Sequence, residues 1–201
     1  MRHGEVHNPE RVLYGRLPGF HLSDDGRDMA RAAAEHLKAQ GRPVKSLVSS
    51  PLERARESSA PIAELFGLTP VIDARVLEPT NVFEGKRMQR ALRNPLNWWH
   101  LRTPALPSWG EAYLDVVERM QAAMRDAWNR TPSGDAVIVS HQLPIWITHL
   151  SVAGLPLRHD PRRRRCDLSS ITSFELAGDV WREVDYVEPA PTAGAVDVGA
   201  V

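Results

Sequence analysis

Short apolar runs alternate with amphipathic stretches along most of this chain, and that alternation restricts the fold more than any other feature. Val44 to Ser49, Pro70 to Asp73 and Ala136 to Ser140 read as short strands. The stretches between them carry apolar residues at three- and four-residue steps, as helices do. Strand, helix and strand in succession predict an α/β fold, a three-layer sandwich: a mostly parallel central sheet with helices on both faces.

Local signals set the expected boundaries. Ser23 can cap a helix running to about Gln40, whose stripe is Met29, Ala30, Ala33, Ala34 and Leu37, with Gly41 as its stop. Ser50 and Pro51 suit the start of a second helix. Pro61 should kink or restart it, and Gly67 ends it. Residues 79–109 are irregular. A long helix is expected from about Gly110 to Arg130, with Leu114, Val117, Met120, Met124 and Trp128 on one face. Pro144 can open a helix that Gly154 closes. Ile171 to Leu176 and Val180 to Val187 form a hairpin across Ala177-Gly178-Asp179. Residues 1–188 read as one domain and 189–201 as a disordered tail.

Composition narrows the function classes. Lys plus Arg is 25 and Asp plus Glu is 25, so the net charge is zero. That balance gives no expectation of a nucleic-acid partner. Cys166 is the only cysteine, so neither an internal disulfide nor a cysteine-based zinc site is expected, and it reads as buried and inert. No apolar run is long enough to span a bilayer. The polar start does not resemble a signal peptide, and a cytoplasmic location is expected.

The chemistry sits at the strand ends. Arg2-His3-Gly4 opens the chain. Ser49-Ser50-Pro51-Leu52-Glu53-Arg54-Ala55, Arg75-Val76-Leu77-Glu78 and Val139-Ser140-His141 follow. Two histidines, two arginines and a carboxylate in these places suit phosphoryl transfer through a histidine. Neutral His3 is the nucleophile, kept neutral by Arg2 and Arg54. Arg54 lies one turn into its helix and can reach the phosphoryl oxygens. His141 can donate a further bond. Glu78 is the candidate acid for the leaving oxygen and then the base for water, with Glu84 as competitor.

These four pieces, in this order, resemble the histidine phosphatase superfamily, also called phosphoglycerate-mutase-like, over roughly residues 1–187. The resemblance implies a phosphohistidine on His3 and a phosphate pocket of Arg2, Arg54 and His141, with Asn8 supporting. It implies Glu78 as proton donor, a small phosphorylated substrate, and neither metal nor other cofactor. The sequence departs from the pattern in having Gln142 where Gly usually follows the second histidine. Ser58 or Ser59 also stands where the family has Thr. Trp98, Trp99 and Trp109 read either as packing or as a cap over the pocket. Arg162 to Arg165 reads as a solvated basic turn, or else as an attraction for an anion. The other histidines read as structural or solvent-facing.

A phosphatase is favoured over a mutase, because only 62 residues separate Glu78 from His141. The remaining alternatives are a metal hydrolase using His3, His7 and Glu78, and a catalytically dead binding member. Only two residues precede His3, which should end a central strand. The natural protein is therefore expected to begin several residues earlier, with an apolar stretch ending at Met1.

Overall fold

The computed structural model describes residues 1–102, 109–191, 194, 195 and 197. In chain order the elements are α1 (Asp24–Ala39), β1 (Val44–Ser49), α2 (Glu53–Phe66), β2 (Val71–Ile72), α3 (Met88–Ala91), α4 (Tyr113–Asn129), β3 (Asp135–Val139), α5 (Gln142–Val152), β4 (Ile171–Ala177) and β5 (Val180–Val187). Short 3-10 helices cover Ala74–Val76, Pro95–Leu101 and Pro161–Arg163.

The central sheet is parallel, in the order β2-β1-β3, with Ser49 opposite Ile72 on one side and Val139 on the other. Alternation along β3 divides the core between its faces. Val137 and Val139 pack with α1 and α2 through Ala33, Leu37, Ala55 and Ile62. Ile138 packs on the opposite side with Val116, Met120, Leu143 and Ile147 of α4 and α5. Strands β4 and β5 form a separate antiparallel hairpin closed at Ala177 and Val180, so the turn is Gly178-Asp179.

Helix α1 begins as the sequence predicts: Ser23 Oγ accepts from the Gly26 N–H at 2.9 Å. Helix α2 begins at Glu53, later than Ser50-Pro51 suggests, because the Ser50 hydroxyl is engaged by His141 instead. Pro61 does not restart the helix, which runs unbroken to Phe66. Proline deletes one N–H donor, and the packing of Ser58, Ser59 and Ile62 holds the remainder. The stripe of α4 is rotated from the expected one. Tyr113, Val116, Met120, Ala123, Met124 and Ala127 are buried, whereas Leu114 is 68% and Trp128 42% exposed. Alanine at 123 and 127 lets the neighbouring elements approach closely on that face, and bulk elsewhere stays outside.

Residues 1–3 stitch the two sheets together at one end. Arg2 pairs in parallel with Ser140, and the Met1 carbonyl accepts from the Ser140 N–H at 2.9 Å. On the other side the Arg2 N–H donates to Ser170 O at 3.0 Å, and the Ser169 N–H to His3 O at 3.1 Å. Beyond Met1 the edges of β3 and β4 diverge around a cavity of about 160 Å³, lined by Ile138, Ile171, Phe174, Met124 and Trp181 among others.

The turn after His3 lies directly on α1. A Cβ on Gly4 would stand 2.3 Å from Gly26 O, and a Cβ on Gly26 would stand 2.0 Å from Glu5 O. Only glycine at both positions permits this backbone contact. Ser23 secures it, its hydroxyl donating to Glu5 Oε2 at 2.7 Å.

Of the expected tail, residues 192, 193, 196 and 198–201 lie outside the described residues. Ala190 is buried against Met29 and Leu168, and Asp197 reaches Arg2. The tryptophans expected over the pocket are divided. Trp98 and Trp99 are 60% and 68% exposed on the Pro95–Leu101 turn, while Trp109 packs with Leu13, Phe83 and Ala91.

Candidate active site

The carboxyl ends of β1 and β3 bring the four sequence pieces to one edge. His3, Arg54 and His141 are buried there, and the two imidazole centroids are 5.2 Å apart. His3 Nδ1 lies 2.7 Å from the Gly4 carbonyl. A carbonyl can only accept, so Nδ1 carries the proton and Nε2 holds the lone pair. Arg54 Nε donates to that nitrogen at 3.3 Å. The imidazole is held neutral as well as oriented. Burial lowers its pKa well below the ordinary histidine value, and the charges of Arg54 and Arg2 lower it further.

Arg54 is placed by three contacts. Its Nη2 donates to the Gly15 carbonyl at 2.7 Å, and its guanidinium lies 4.6 Å from the Tyr14 ring centroid. Its own carbonyl accepts from Ser58 Oγ, which in turn accepts from the Gly4 N–H at 3.0 Å. Ser58 therefore ties the helix carrying Arg54 to the turn carrying His3. Arg54 Nη1 is buried without a hydrogen-bond partner among the described residues. Burial lowers the Arg54 pKa, yet a guanidinium keeps its proton in proteins.

His141 caps the start of α5, and its Nε2 is 2.8 Å from Ser50 Oγ. Its Nδ1 lies 4.0 Å from Glu78 Oε2 and has no hydrogen-bond partner among the described residues. Burial, then the charge of Arg54, puts its pKa well below the ordinary value. Glu78 is 6% exposed. Burial raises its carboxyl pKa, against the opposing pull of Arg54, Arg164, Arg2 and Arg119. Glu84, its competitor in the sequence, accepts from the Arg16 N–H at 3.0 Å and is half-buried beside the loop.

Arg2 is buried but engaged. Its Nη1 donates to Cys166 O at 2.7 Å, and Nη1 and Nη2 grip the Asp197 carboxylate. Burial works to lower its pKa, and Asp197 more than reverses that. Asn8 is also committed: its amide donates to Val12 O at 2.8 Å and accepts from the Val12 N–H at 3.2 Å. It braces the loop that presents Tyr14 and Gly15. Arg75 of the Arg-x-x-Glu piece pairs with Asp73 and Asp126, a structural duty. Cys166 is buried, and burial pushes its thiol up to about 11.

Tyr14 and Gly15 are placed by the fold and are not singled out in the sequence, whereas Ser58 is offered there only as an alternative to Ser59 and Arg164 only as one of four arginines. Tyr14 lies in a stretch with no periodic apolar signal. Arg164 lay in a run of four arginines, where nothing distinguishes one from the next. Among the described residues, no group of three or more His, Cys, Asp or Glu could hold a metal ion. No helix among them is long and apolar enough to cross a membrane.

Comparison with known proteins agrees with this architecture. The family model of the histidine phosphatase superfamily (branch 1) matches residues 1–189. The chain is 47% identical over 193 residues to the uncharacterized protein Rv0525 of Mycobacterium tuberculosis, covering 94% of this chain and 95% of that one. It is 26% identical over 202 residues to the probable phosphoglycerate mutase GpmB of Klebsiella pneumoniae, covering 98% and 91%. The native structure of the mycobacterial glucosyl-3-phosphoglycerate phosphatase Rv2419c superposes with a TM-score of 0.75 at 25% identity, covering 94% and 97%.

Proposed function

Since the chain belongs to the histidine phosphatase superfamily, we propose that it hydrolyses a small phosphomonoester through a phosphohistidine on His3. One observation carries this reading. His3 is neutral, its proton is fixed on Nδ1 by Gly4, and its Nε2 lone pair faces a guanidinium.

In the first step Nε2 attacks phosphorus and the bond from phosphorus to the ester oxygen breaks. Glu78, whose acid form burial favours, gives its proton to the departing alkoxide. Arg54 Nη1, without a partner in the protein, meets the charge that builds on the equatorial oxygens. In the tautomer in which Ser50 Oγ donates to His141 Nε2, the His141 proton sits on Nδ1, which has no partner in the protein and is free to meet substrate oxygens. Arg2 adds its charge once Asp197 yields to the phosphoryl group. In the second step the Glu78 carboxylate takes a proton from water. That water attacks phosphorus, the bond to His3 Nε2 breaks, and inorganic phosphate leaves. The protein's own cations neutralise the oxygens throughout, and the scheme requires no metal.

The likeness to GpmB favours a second reading, in which the phosphoryl group is handed back to an alcohol. The same assay separates the two. Brief reaction with a labelled phosphomonoester and an alkaline quench should leave acid-labile label on His3, followed by release of inorganic phosphate. Label persisting in His3→Ala would remove His3 as the carrier. Label that passes to an added alcohol without release of phosphate would favour the mutase.

A further inference from the structure

Three arginines near the pocket are buried: Arg2, Arg54 and Arg164. Arg2 has Asp197 as its counter-ion. Arg54 has none, and it lies against His3, where the phosphoryl group would bring negative charge. Arg164 also has none. It is 8% exposed, and no carboxylate among the described residues lies within 4 Å of it. Its neighbours behave differently: Arg162 and Arg163 are exposed on the 3-10 turn, and Arg165 pairs with Glu183.

Neutral groups hold Arg164 in place. Its Nε donates to His159 Nε2 at 2.9 Å, and its Nη1 to Gln142 Oε1 at 3.2 Å. His159 Nδ1 lies 2.7 Å from the Leu157 carbonyl, so the proton is on Nδ1 and Nε2 is free to accept. The ring of Tyr113 sits 5.7 Å from His159. Tyr113 and Glu78 line the same small cavity, together with Leu143 and Trp109. Arg164 is thus linked to the surroundings of Glu78 through His159 and Tyr113, and its charge reaches that carboxyl. A buried cation held only by neutral groups carries an uncompensated desolvation cost, which an arriving anion offsets.

If Glu78 protonates the leaving oxygen, the alcohol part of the ester lies next to Glu78, within reach of the Arg164 charge. We propose that Arg164 is a specificity residue that receives a carboxylate carried on the alcohol part of the phosphomonoester. A guanidinium has five N–H donors, and His159 and Gln142 engage two of them. The remaining three and the single charge match one carboxylate. A second phosphate dianion would bring excess negative charge beside Glu78. Gln142, which stands where a glycine is usual after the second histidine, supplies the bracket that holds the guanidinium. This inference rests on the phosphatase reading for the position of the leaving group.

The test compares 3-phosphoglycerate with glycerol 3-phosphate, which has CH2OH in place of the carboxylate. Wild-type kcat/KM should favour the acid by about tenfold or more, because a site built to bind a polar group rejects the analogue lacking it. Arg164→Met should bring the ratio to within about twofold, mainly by raising KM for the acid. Arg164→Lys should restore part of it, as a charge without the planar fork does. A wild-type ratio near one overturns the proposal, as does equal loss on both esters in a folded Arg164→Met. Should Arg164→Met fail to fold by circular dichroism, the wild-type and Arg164→Lys ratios decide. Calorimetric binding of the two esters to the His3→Ala protein separates this inference from the hydrolysis on which it rests. Selective binding of the acid without turnover of any ester by the wild type would sink the phosphatase reading and leave the carboxylate site standing. Turnover without that selectivity would do the reverse.

Discussion

The floor of the pocket and its rim are built on different principles. The floor consists of the ends of β1 and β3, the start of α5 and the first turn of α2. Arg2, His3, Ser49, Ser50, Arg54, Ser140 and His141 are all at most 2% exposed. Strand pairing fixes their backbones: the Ser50 N–H donates to Val139 O and the His3 N–H to Ser140 O. The rim, residues 79–102 and 109–111, consists of short turns and the one-turn helix α3, held by local bonds such as Asn94 capping the Leu96 N–H and Trp98 Nε1 donating to Leu92 O. Leu96, Trp98 and Trp99 stand in solvent. Chemistry that needs reacting atoms fixed to a fraction of an ångström belongs on the rigid edge of a sheet. Choice of substrate can be left to turns, which tolerate change.

Four measurements would break or sharpen this contrast. The largest effect is expected at the proposed nucleophile: His3→Ala should lower kcat at least about 10³-fold for every ester, because the covalent path is lost. Substantial remaining activity would mean that the floor does not hold the reacting atom. Next is the pair Arg54→Ala and Arg56→Ala. The two side chains project about 200° apart on the helix; Arg54 is buried and Arg56 exposed. Arg54→Ala should cost about 10²-fold in kcat/KM, and Arg56→Ala less than about twofold. Equal losses would show that charge, not position, is what counts on this helix.

Glu78→Gln should come third, slowing alkyl esters about 10-fold to 10²-fold and an aryl ester, whose leaving oxygen needs little protonation, much less. The pH profile adds a sign. Burial raises the Glu78 pKa, so its acid form persists to higher pH than an exposed glutamate's, and alkyl-ester turnover falls as pH climbs through that pKa. Glutamine does not titrate, so this basic limb should vanish from the variant. A limb that survives belongs to another group. The smallest effect is expected on the rim. Trp98→Ala or Trp99→Ala should change kcat for a small aryl ester by less than about twofold and act mainly on KM for bulkier esters. A floor-sized loss in kcat would dissolve the distinction.

Much of the floor was legible because its residues lie within a few positions of strand ends, where apolar runs stop and capping residues begin. Ser23, Gly67 and the Gly178-Asp179 turn do as local rules require. The α4 stripe differs for a physical reason: apolar periodicity weights large side chains, whereas the buried face carries the small Ala123, packed with α5, and Ala127, and leaves Leu114 and Trp128 outside. Asn8 could be located but not assigned its contacts, since its bonds to Val12 depend on how the loop folds back. The two roles of arginine at 75 and 164 were illegible for the same reason. Arg75, inside a motif, is tied to Asp73 and Asp126, while Arg164, inside a basic run, is buried and held by His159 and Gln142. Only tertiary contacts distinguish them.

The facing glycines at 4 and 26 carry a mechanical consequence. No side chain cushions the meeting of helix α1 with the turn that follows His3; carbonyl rests against α-carbon in both directions. The helix therefore acts as an anvil for His3, the proposed nucleophile. A single methyl group at position 26 touches no substrate, yet it would drive the backbone at Glu5 outward and swing the imidazole with it. On the proposed mechanism, alignment of the attacking nitrogen is thus set partly from outside the pocket, by the seating of a helix that contributes no reacting atom.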